Sequence, residues 1–490
     1  MNVQAQRDEL IRITQEDRTL YFECYKSDHH AEMFCGYNPE VSEYHLVIPS
    51  TVTGAQGDVY TVTDITDVGA NLVSIVFPDH LTIIREGLCK SNAITSVVIP
   101  ASVVTIDKEA FQHCYQLSSI TMSAGLKTIG QSAFAGAAIT SLVVPTTVDS
   151  IGSNAFNCAN LSSLTVGGEL KEIASGVFNT PNLTTLDIKE GVEIIGASAF
   201  ANSKLNNVSL PNSLKEIGNF AFANTIFEEA NLSGVTSIGQ GAFSRNKSLK
   251  KAILSNDLET LGAEAFYDCT SLETVALGKN ITSIGDNTFN HCSRITTVNV
   301  PASVKSIGQA AFIGTSLTSI VLGEGVESIG QKAFAYCNAL TNIVSYATTA
   351  PALGTDVFEG VPSNASVKVP CSALSSYQSN WSHFNNITTM SPVYAESEDE
   401  AKGLVTLTYA GDCNNPITML VATPNSGYQF RQWSDGNTDN PRTITSAEEL
   451  NLIAYFDMAE GIENIIVNGA NNSNKVLIDG NLYILHPDGN

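Results

Sequence analysis

Positive charge is scarce in this chain. Against 49 Asp and Glu there are only 25 Lys and Arg, a formal net charge of −24 over 490 residues. Phosphate backbones and anionic headgroups need a basic surface, so nucleic-acid and membrane-surface binding are excluded, and the acidity reads as solubility. Long apolar runs are missing too: nothing approaches the roughly 18 consecutive apolar residues of a spanning helix. Met1-Asn-Val-Gln-Ala-Gln-Arg-Asp8 lacks the apolar stretch of a signal peptide. The signatures G-x-S-x-G, H-E-x-x-H and G-x-x-x-x-G-K-[ST] are all absent, which removes the nucleophile elbow, the zinc-protease helix and the phosphate-cradling loop. Tryptophan occurs twice and histidine eight times, so sugar platforms and acid–base or metal-ligating histidines have few candidates.

What fills the chain is one phrase, repeated thirteen times. A representative copy is Leu317-Thr-Ser-Ile320-Val-Leu322, then Val326, then Ser328-Ile329-Gly330-Gln-Lys-Ala333-Phe334. The same phrase ends in Phe111, Phe134, Phe156, Phe178, Phe200, Phe222, Phe243, Phe266, Phe289, Phe312 and Phe358, with Leu88 in the slot of an earlier copy. Successive anchors are 21 to 24 residues apart. A period this regular is the mark of a solenoid. Alternation at Ile94, Val97 and Ile99 or Leu205, Val208 and Leu210 marks a short strand with one face inward. Glycine and proline then force the turns. One repeat buries too few side chains to fold alone, so neighbours must share a core, with parallel strands at about 4.8 Å spacing along some 60 Å. The 21-residue step from Phe222 to Phe243 has a visible cause: between Leu232 and Val235 the turn is only Ser233-Gly234.

The phrase resembles leucine-rich repeats of the bacterial BspA-like (treponemal-type) class, met by Ile139-Thr-Ser-Leu142-Val-Val144-Pro145 through Ile151-Gly152-Ser-Asn-Ala155-Phe156. The resemblance implies a mainly β, helix-poor, right-handed leucine-rich-repeat solenoid with a parallel inner sheet. It also implies export, so the chain is read as a mature protein whose signal has been removed, at the outer cell surface or outside the cell.

Residues 1–59 read as an N-terminal β cap. Leu20–Tyr25 and Ala31–Tyr37 flank a polar turn as a hairpin, and a third strand follows at Tyr44–Pro49. Cys24 and Cys35 look symmetric about that turn, which leaves free thiols or a disulfide open; with His29 and His30 their spacing fits no common zinc pattern. Residues 60–390 are the solenoid with its C-terminal cap, where Tyr377 and Trp381 read as packing. Cys114, Cys269, Cys292 and Cys337 follow an anchor Phe by three residues and Cys158 by two. Other copies hold Ala137, Ser203 or Thr225 in the three-after position, which marks a small, partly buried packing slot. Residues 391–402 are acidic and read as a linker. Residues 403–458 change to four alternating strands. Ala422-Thr-Pro-Asn-Ser-Gly427-Tyr-Gln-Phe-Arg-Gln-Trp433-Ser-Asp-Gly resembles the divergent internalin-type B-repeat modules of bacterial surface proteins. Asp435-x-Asn437-x-Asp439 opens like a calcium loop, but Asn440 and Ser446 replace the glycine and glutamate such a loop needs, so it reads as a turn. Residues 459–490 resemble the start of a C-terminal segment of exported proteins of the Bacteroides group.

No cofactor or metal is expected, and no enzymatic activity. Glu172, Glu193, Glu216 and Glu259 recur in a row along one solenoid edge instead of facing across a cleft. His113 and His291 share one repeat slot. Residues flanking the second apolar position of each first strand must face solvent. That face is a Ser/Thr/Val sheet with a charged interruption at Glu228, Glu229, Lys250 and Lys251. Its centre supplies the candidate ligand-binding residues Asp187, Asn207, Ser209, Glu229, Asn231, Lys251 and Ile253. The resemblance implies that this face is the concave one, and the reading is an adhesin-like, monomeric protein presenting it to a host or bacterial protein ligand, with an extracellular or host-matrix protein as the ligand class that the resemblance implies. Glycan capture and a spacer without a discrete ligand are the alternatives.

Overall fold

The computed structural model describes residues 8–15, 18–35, 43–178, 180–206, 208–390, 393–411, 416–445, 450–459, 462–463, 474–478 and 481–485. It forms two compact units, Met1–Ile343 with Pro351–Ala365, and Val344–Ala350 with Ser366–Asn490.

In the first unit every coil has three sides. The first side is, except in the coil holding Ser209, a strand of three to five residues, such as Ser141–Val143, paired in parallel and in register with Ser163–Val166 and, through it, with Thr185–Ile188. The second is a two-residue strand, such as Thr105–Ile106, stacked in parallel on Ile83–Ile84 and Thr128–Ile129. The third is the turn that carries the anchor Phe. Here successive N–H groups alternate between two destinations. Those of Glu109, Phe111 and His113 donate to Gln131, Ala133 and Ala135 of the next coil, at 2.7 to 2.9 Å. Those of Ala110, Gln112 and Cys114 donate back within their own coil to Asp107, Glu109 and Phe111. Each of these backbone donors is therefore satisfied without a conventional strand. The geometry places a left-handed residue two before each anchor Phe and, except at Cys158 and Thr180, another two after it: Glu109 and His113, Ser198 and Asn202, Phe220 and Asn224, or glycine as at Gly136 and Gly176. The glycine after the second-side Ile has a different cause. A Cβ on Gly152 would lie 2.4 Å from the Gln131 backbone nitrogen of the preceding coil.

The core is a continuous pile of phenylalanine rings. From Phe111 to Phe358 every consecutive pair is stacked, at 5.1 to 5.8 Å between centroids and no more than 17° between planes. Inward residues of the first two sides, such as Leu142, Leu164, Ile151 and Ile173, complete it. The earliest anchor is a correction. Cys89, not Leu88, holds the position of Phe111: its N–H donates to Ala110 as Phe111 donates to Ala133, and left-handed Gly87 and Ser91 flank it as Glu109 and His113 flank Phe111. Leu88 takes the place of Ala110. Side-chain size points to the leucine; the backbone register points to the cysteine. Phe77 packs edge-on against Phe111, 6.4 Å away, beside the small thiol.

At the N-terminal end Arg18–Tyr25 and His30–Cys35 form the expected antiparallel hairpin. A strand not foreseen, Glu9–Gln15, pairs with its outer edge, and Val59–Ile65 and Thr51–Thr53 extend the other side. The strand at Tyr44–Val47 pairs in parallel with Leu72–Val76, as first-side strands do. Cys24 and Cys35 are not cross-strand partners. The register sets Cys24 against Ala31 and Leu20 against Cys35, because the turn centres two residues earlier than the cysteine midpoint, and both side chains are buried.

In the second unit Ser366–Val369 pairs in parallel with Ile387–Thr389, joined by a short helix, Leu374–Asn380, that no periodicity announced. Tyr377 and Trp381 are fully buried against each other. The Tyr377 hydroxyl lies 2.6 Å from Ser345 Oγ, and burial pushes its phenol up to about 12. The small β module has two three-stranded sheets, with the Trp433, Phe456, Leu420 and Val393 side chains in its core. Gly403–Gly411, Pro416–Pro424 and Arg442–Ile444 build one. Tyr428–Trp433, Leu450–Met458 and Val393–Ser397 build the other. The last strand lies where a linker was expected. Glu396 within it and Glu398, Asp399 and Glu400 just after it drew that reading, while Val393, Ala395 and Ser397 alternate inward. Over the tail, Ile462–Glu463, Asn474–Ile478 and Asn481–Leu485 form an antiparallel sheet.

Candidate binding surface

Outward residues of the first side form registered rows across the coils. Valines lead in the early coils: Val76, Val98 and Val143 are each more than half exposed. Val47 stands opposite Val76, Thr121 opposite Val98 and Thr165 opposite Val143. The candidate residues occupy the continuation of these rows. Asp187 faces Ser209 across a parallel bridge, Glu229 faces Lys251, and Asn231 faces Ile253. Ser209, Glu229, Asn231 and Lys251 are exposed, while Asp187 and Ile253 are half-buried. Asn207 lies outside the described residues.

The short turn noted in the sequence has a geometric consequence. The coil holding Ser209 makes a single bridge where its neighbours have four-residue strands. A cleft of about 100 Å³ opens between Ser209–Leu214 and Asn231–Val235, so Ser209 and Asn231 line one opening. Beside it the Glu190 carboxylate accepts hydrogen bonds from the backbone N–H groups of Asn212 and Ser213, at 3.0 and 3.1 Å, which hold its carboxyl below the usual range.

Several charges along the coils are paired between neighbouring turns. Where each coil enters its second side the residues run Lys127, Asp149, Lys171, Glu193, Lys215, and further on Lys305 and Glu327. Lys171 meets Glu193 at 2.9 Å and Lys305 meets Glu327 at 3.3 Å. Lys127 meets Glu169 at 2.7 Å and Lys250 meets Glu228 at 2.9 Å. Such exposed pairs contribute little stability, but alternating sign up the stack disfavours slipped coils.

The cysteine slot is fully buried, more than its composition indicated, and the thiols have a shared role. Cys158, Cys269, Cys292 and Cys337 each donate to the carbonyl of the anchor Phe one coil back, at 3.1 to 3.3 Å. Cys114 donates to Cys89 in the same way at 3.0 Å. Ser203 and Thr225 instead cap the anchor carbonyl of their own coil. Burial raises the thiols of Cys114 and Cys158 to about 11 and about 12, which makes them packing groups and not nucleophiles.

Among the described residues no group of three or more His, Cys, Asp and Glu could hold a metal, and no helix is long and apolar enough to cross a membrane. In the β module Arg442 clamps both oxygens of Asp435, at 2.6 and 2.8 Å, so the Asp435–Asp439 stretch is a pinned turn. Trp433 Nε1 donates to the Asp439 carbonyl beneath it at 2.9 Å.

The BspA type leucine rich repeat region matches at residues 82–193, 171–296 and 259–391, which is over half of the chain, and the divergent InlB B-repeat domain matches residues 395–460. Among solved structures, a leucine-rich repeat protein from Bacteroides ovatus is 26% identical, with a TM-score of 0.52, covering 78% of this chain and 98% of that one. A leucine rich cell surface protein from Faecalibacterium prausnitzii is 22% identical, with a TM-score of 0.38, covering 69% of this chain and 95% of its own. The pneumococcal vaccine antigen PcpA is 19% identical, with a TM-score of 0.41, covering 77% and 98% respectively. A comparison with curated proteins finds no match. The chain belongs to the BspA-type leucine-rich repeat family, and it carries a divergent InlB B-repeat module at its C-terminal end.

Proposed function

We propose that this is a non-enzymatic, adhesin-like protein that works at the cell surface or outside the cell and binds a protein ligand on the outer face of its first-side sheet. One observation carries the reading: large apolar side chains, Val76, Val98 and Val143, stand in solvent on an ordered, registered sheet. Exposed apolar rows of this kind mark interaction surfaces. The polar centre, with Asp187, Ser209, Glu229, Asn231, Lys251 and Ile253, and Asn207 by sequence, then supplies selectivity beside the cleft. By family resemblance the ligand is an extracellular or host-matrix protein.

The test is surface plasmon resonance of the full chain against a panel of purified extracellular-matrix proteins. Ser209→Arg with Asn231→Arg places two long cations at the cleft without touching the core. Binding that falls more than about tenfold in the double variant, with unchanged melting, supports the assignment; loss of about 1.4 kcal/mol is that much. Binding unchanged by the double variant removes the central face as the site.

A further inference from the structure

Away from this sheet, on the anchor-turn side, one step between coils leaves a recess. From Phe111 to the strand residue Leu117 there are six positions, whereas from Phe134 to Ile139 there are five. The extra residue is Tyr115, which projects from its coil and is 67% exposed. The next coil is shorter there and is built from Ala135, Gly136, Ala137 and Ala138, so it cannot fill the space beside the ring. The coil after that restores side-chain bulk with Asn157 and Asn160. The result is an open recess of about 650 Å³, one coil wide, with an aromatic wall on one side and amides on the other. Its size falls within the usual range of small-ligand sites.

The wall is held. The Tyr115 hydroxyl and His113 Nδ1 lie 2.9 Å apart, and a Cβ on Gly136 would come within 3.2 Å of Tyr115 Cε1, so the ring edge rests on the glycine. Gly136 is left-handed, with φ of 86°, which fits glycine at this point. A similar change of coil length recurs from Phe289 to Phe312, but there Ser293 stands where Tyr115 does and Ile313 where Ala135 does. The aromatic wall belongs to this coil and is not a by-product of the period.

The lining also lacks permanently charged side chains. No Asp, Glu, Lys or Arg lines the recess, in a chain with 74 of them (49 acidic and 25 basic). What it offers is a ring face and the side chains of Gln112, Asn154, Asn157 and Asn160. An aromatic face carries negative charge density and attracts the polarised C–H groups of a saturated ring laid upon it. A carboxamide donates and accepts at once, as a hydroxyl does. A charged ligand finds no Asp, Glu, Lys or Arg to pair with, and a planar aromatic ligand has few hydroxyls to offer the amides.

We propose that the Tyr115 recess is a binding subsite for a neutral pyranose, stacked on Tyr115 and hydrogen-bonded through Asn157 and Asn160. It is separate from the first-side sheet and does not depend on the protein ligand proposed there.

The test is saturation-transfer NMR on the full chain with four probes, the methyl glycosides of glucose, galactose, mannose and N-acetylglucosamine, and with glucuronate as the charged control. At least one neutral glycoside should receive saturation, chiefly at the C–H protons of one ring face, and glucuronate should not. Tyr115→Ala should weaken that binding about tenfold, and Asn160→Leu about threefold to tenfold. Tyr115→Phe, which keeps the ring, should stay within about twofold of the native chain. Both side chains, Tyr115 and Asn160, project from exposed turns, and unchanged melting verifies the fold. No transfer to any neutral probe, equal transfer to glucuronate, or binding that survives Tyr115→Ala would each overturn the proposal.

Discussion

Replacing Phe222 with alanine probes the ring stack at its middle. Phe222 is fully buried, lies 5.5 Å from the Phe200 ring and 5.6 Å from the Phe243 ring, and receives the edge of Phe227 at 5.4 Å. Burial of one such side chain is worth about 1.5–3 kcal/mol. Each aromatic partner adds about 0.5–1.5 kcal/mol. Part of this is recovered as neighbours relax, so the substitution should cost about 3–5 kcal/mol. Neighbouring coils share the stack and its hydrogen bonds: Phe222 N–H donates to Ala242 and Phe200 N–H donates to Ala221. Loss should therefore spread to both sides. Guanidinium unfolding gives the magnitude, and hydrogen exchange read by mass spectrometry gives the extent. Protection should fall in peptides covering at least the Phe200, Phe222 and Phe243 coils. The control is Tyr115→Ala, an exposed aromatic, which should change stability by no more than about 0.5 kcal/mol. A loss under about 1 kcal/mol, or faster exchange confined to the one coil, would refute the shared-core reasoning.

Other outcomes are equally open to measurement. The buried thiols of Cys114 and Cys158, raised to about 11 and about 12 from 9.0, should resist iodoacetamide in the native chain at pH 8 and react fully in denaturant; native labelling at the unfolded rate would contradict their burial. The same shifts make stability fully present below about 9 and lost as pH rises through 11 and 12, so melting should fall on the alkaline side, and less steeply in Cys158→Ala. In the β module Arg442 holds the Asp435 carboxyl below its ordinary value. That contribution is present above the unfolded carboxylate range and lost as pH falls through the lowered value, so Arg442→Gln should flatten the acid limb of melting. Millimolar calcium should leave melting unchanged, since both Asp435 oxygens are engaged by Arg442; a calcium-induced rise would show that the ion displaces the arginine.

The parts legible in the sequence are those that repeat. A phenylalanine every 21 to 24 residues announces the ring pile, and alternation around Val97 or Leu142 announces which residues face out. What escapes is whatever depends on register or on one coil differing from the next. Leu88 outweighs Cys89 by size, yet hydrogen bonding assigns Cys89 to the anchor. Cys24 and Cys35 look symmetric, but the hairpin centres two residues away from their midpoint. The strand at Val393–Ser397 is masked by the acidic residues Glu396 to Glu400 at and after its end, and that at Glu9–Gln15 by having no copy elsewhere in the chain. The cleft beside Ser209 was foreshadowed by the short Ser233-Gly234 turn, although its opening onto Asn231 needed coordinates. The Tyr115 recess was countable in advance as six positions followed by five, but only the packing shows that Ala135–Ala138 leave the space empty.

The most direct test of the binding claim is the matrix-protein panel read in parallel with three chains: native, Ser209→Arg with Asn231→Arg, and Tyr115→Ala. The account predicts a salt-resistant protein ligand for the native chain, lost in the double variant and retained by Tyr115→Ala. A ligand held equally by all three, or none held by the native chain, would contradict it.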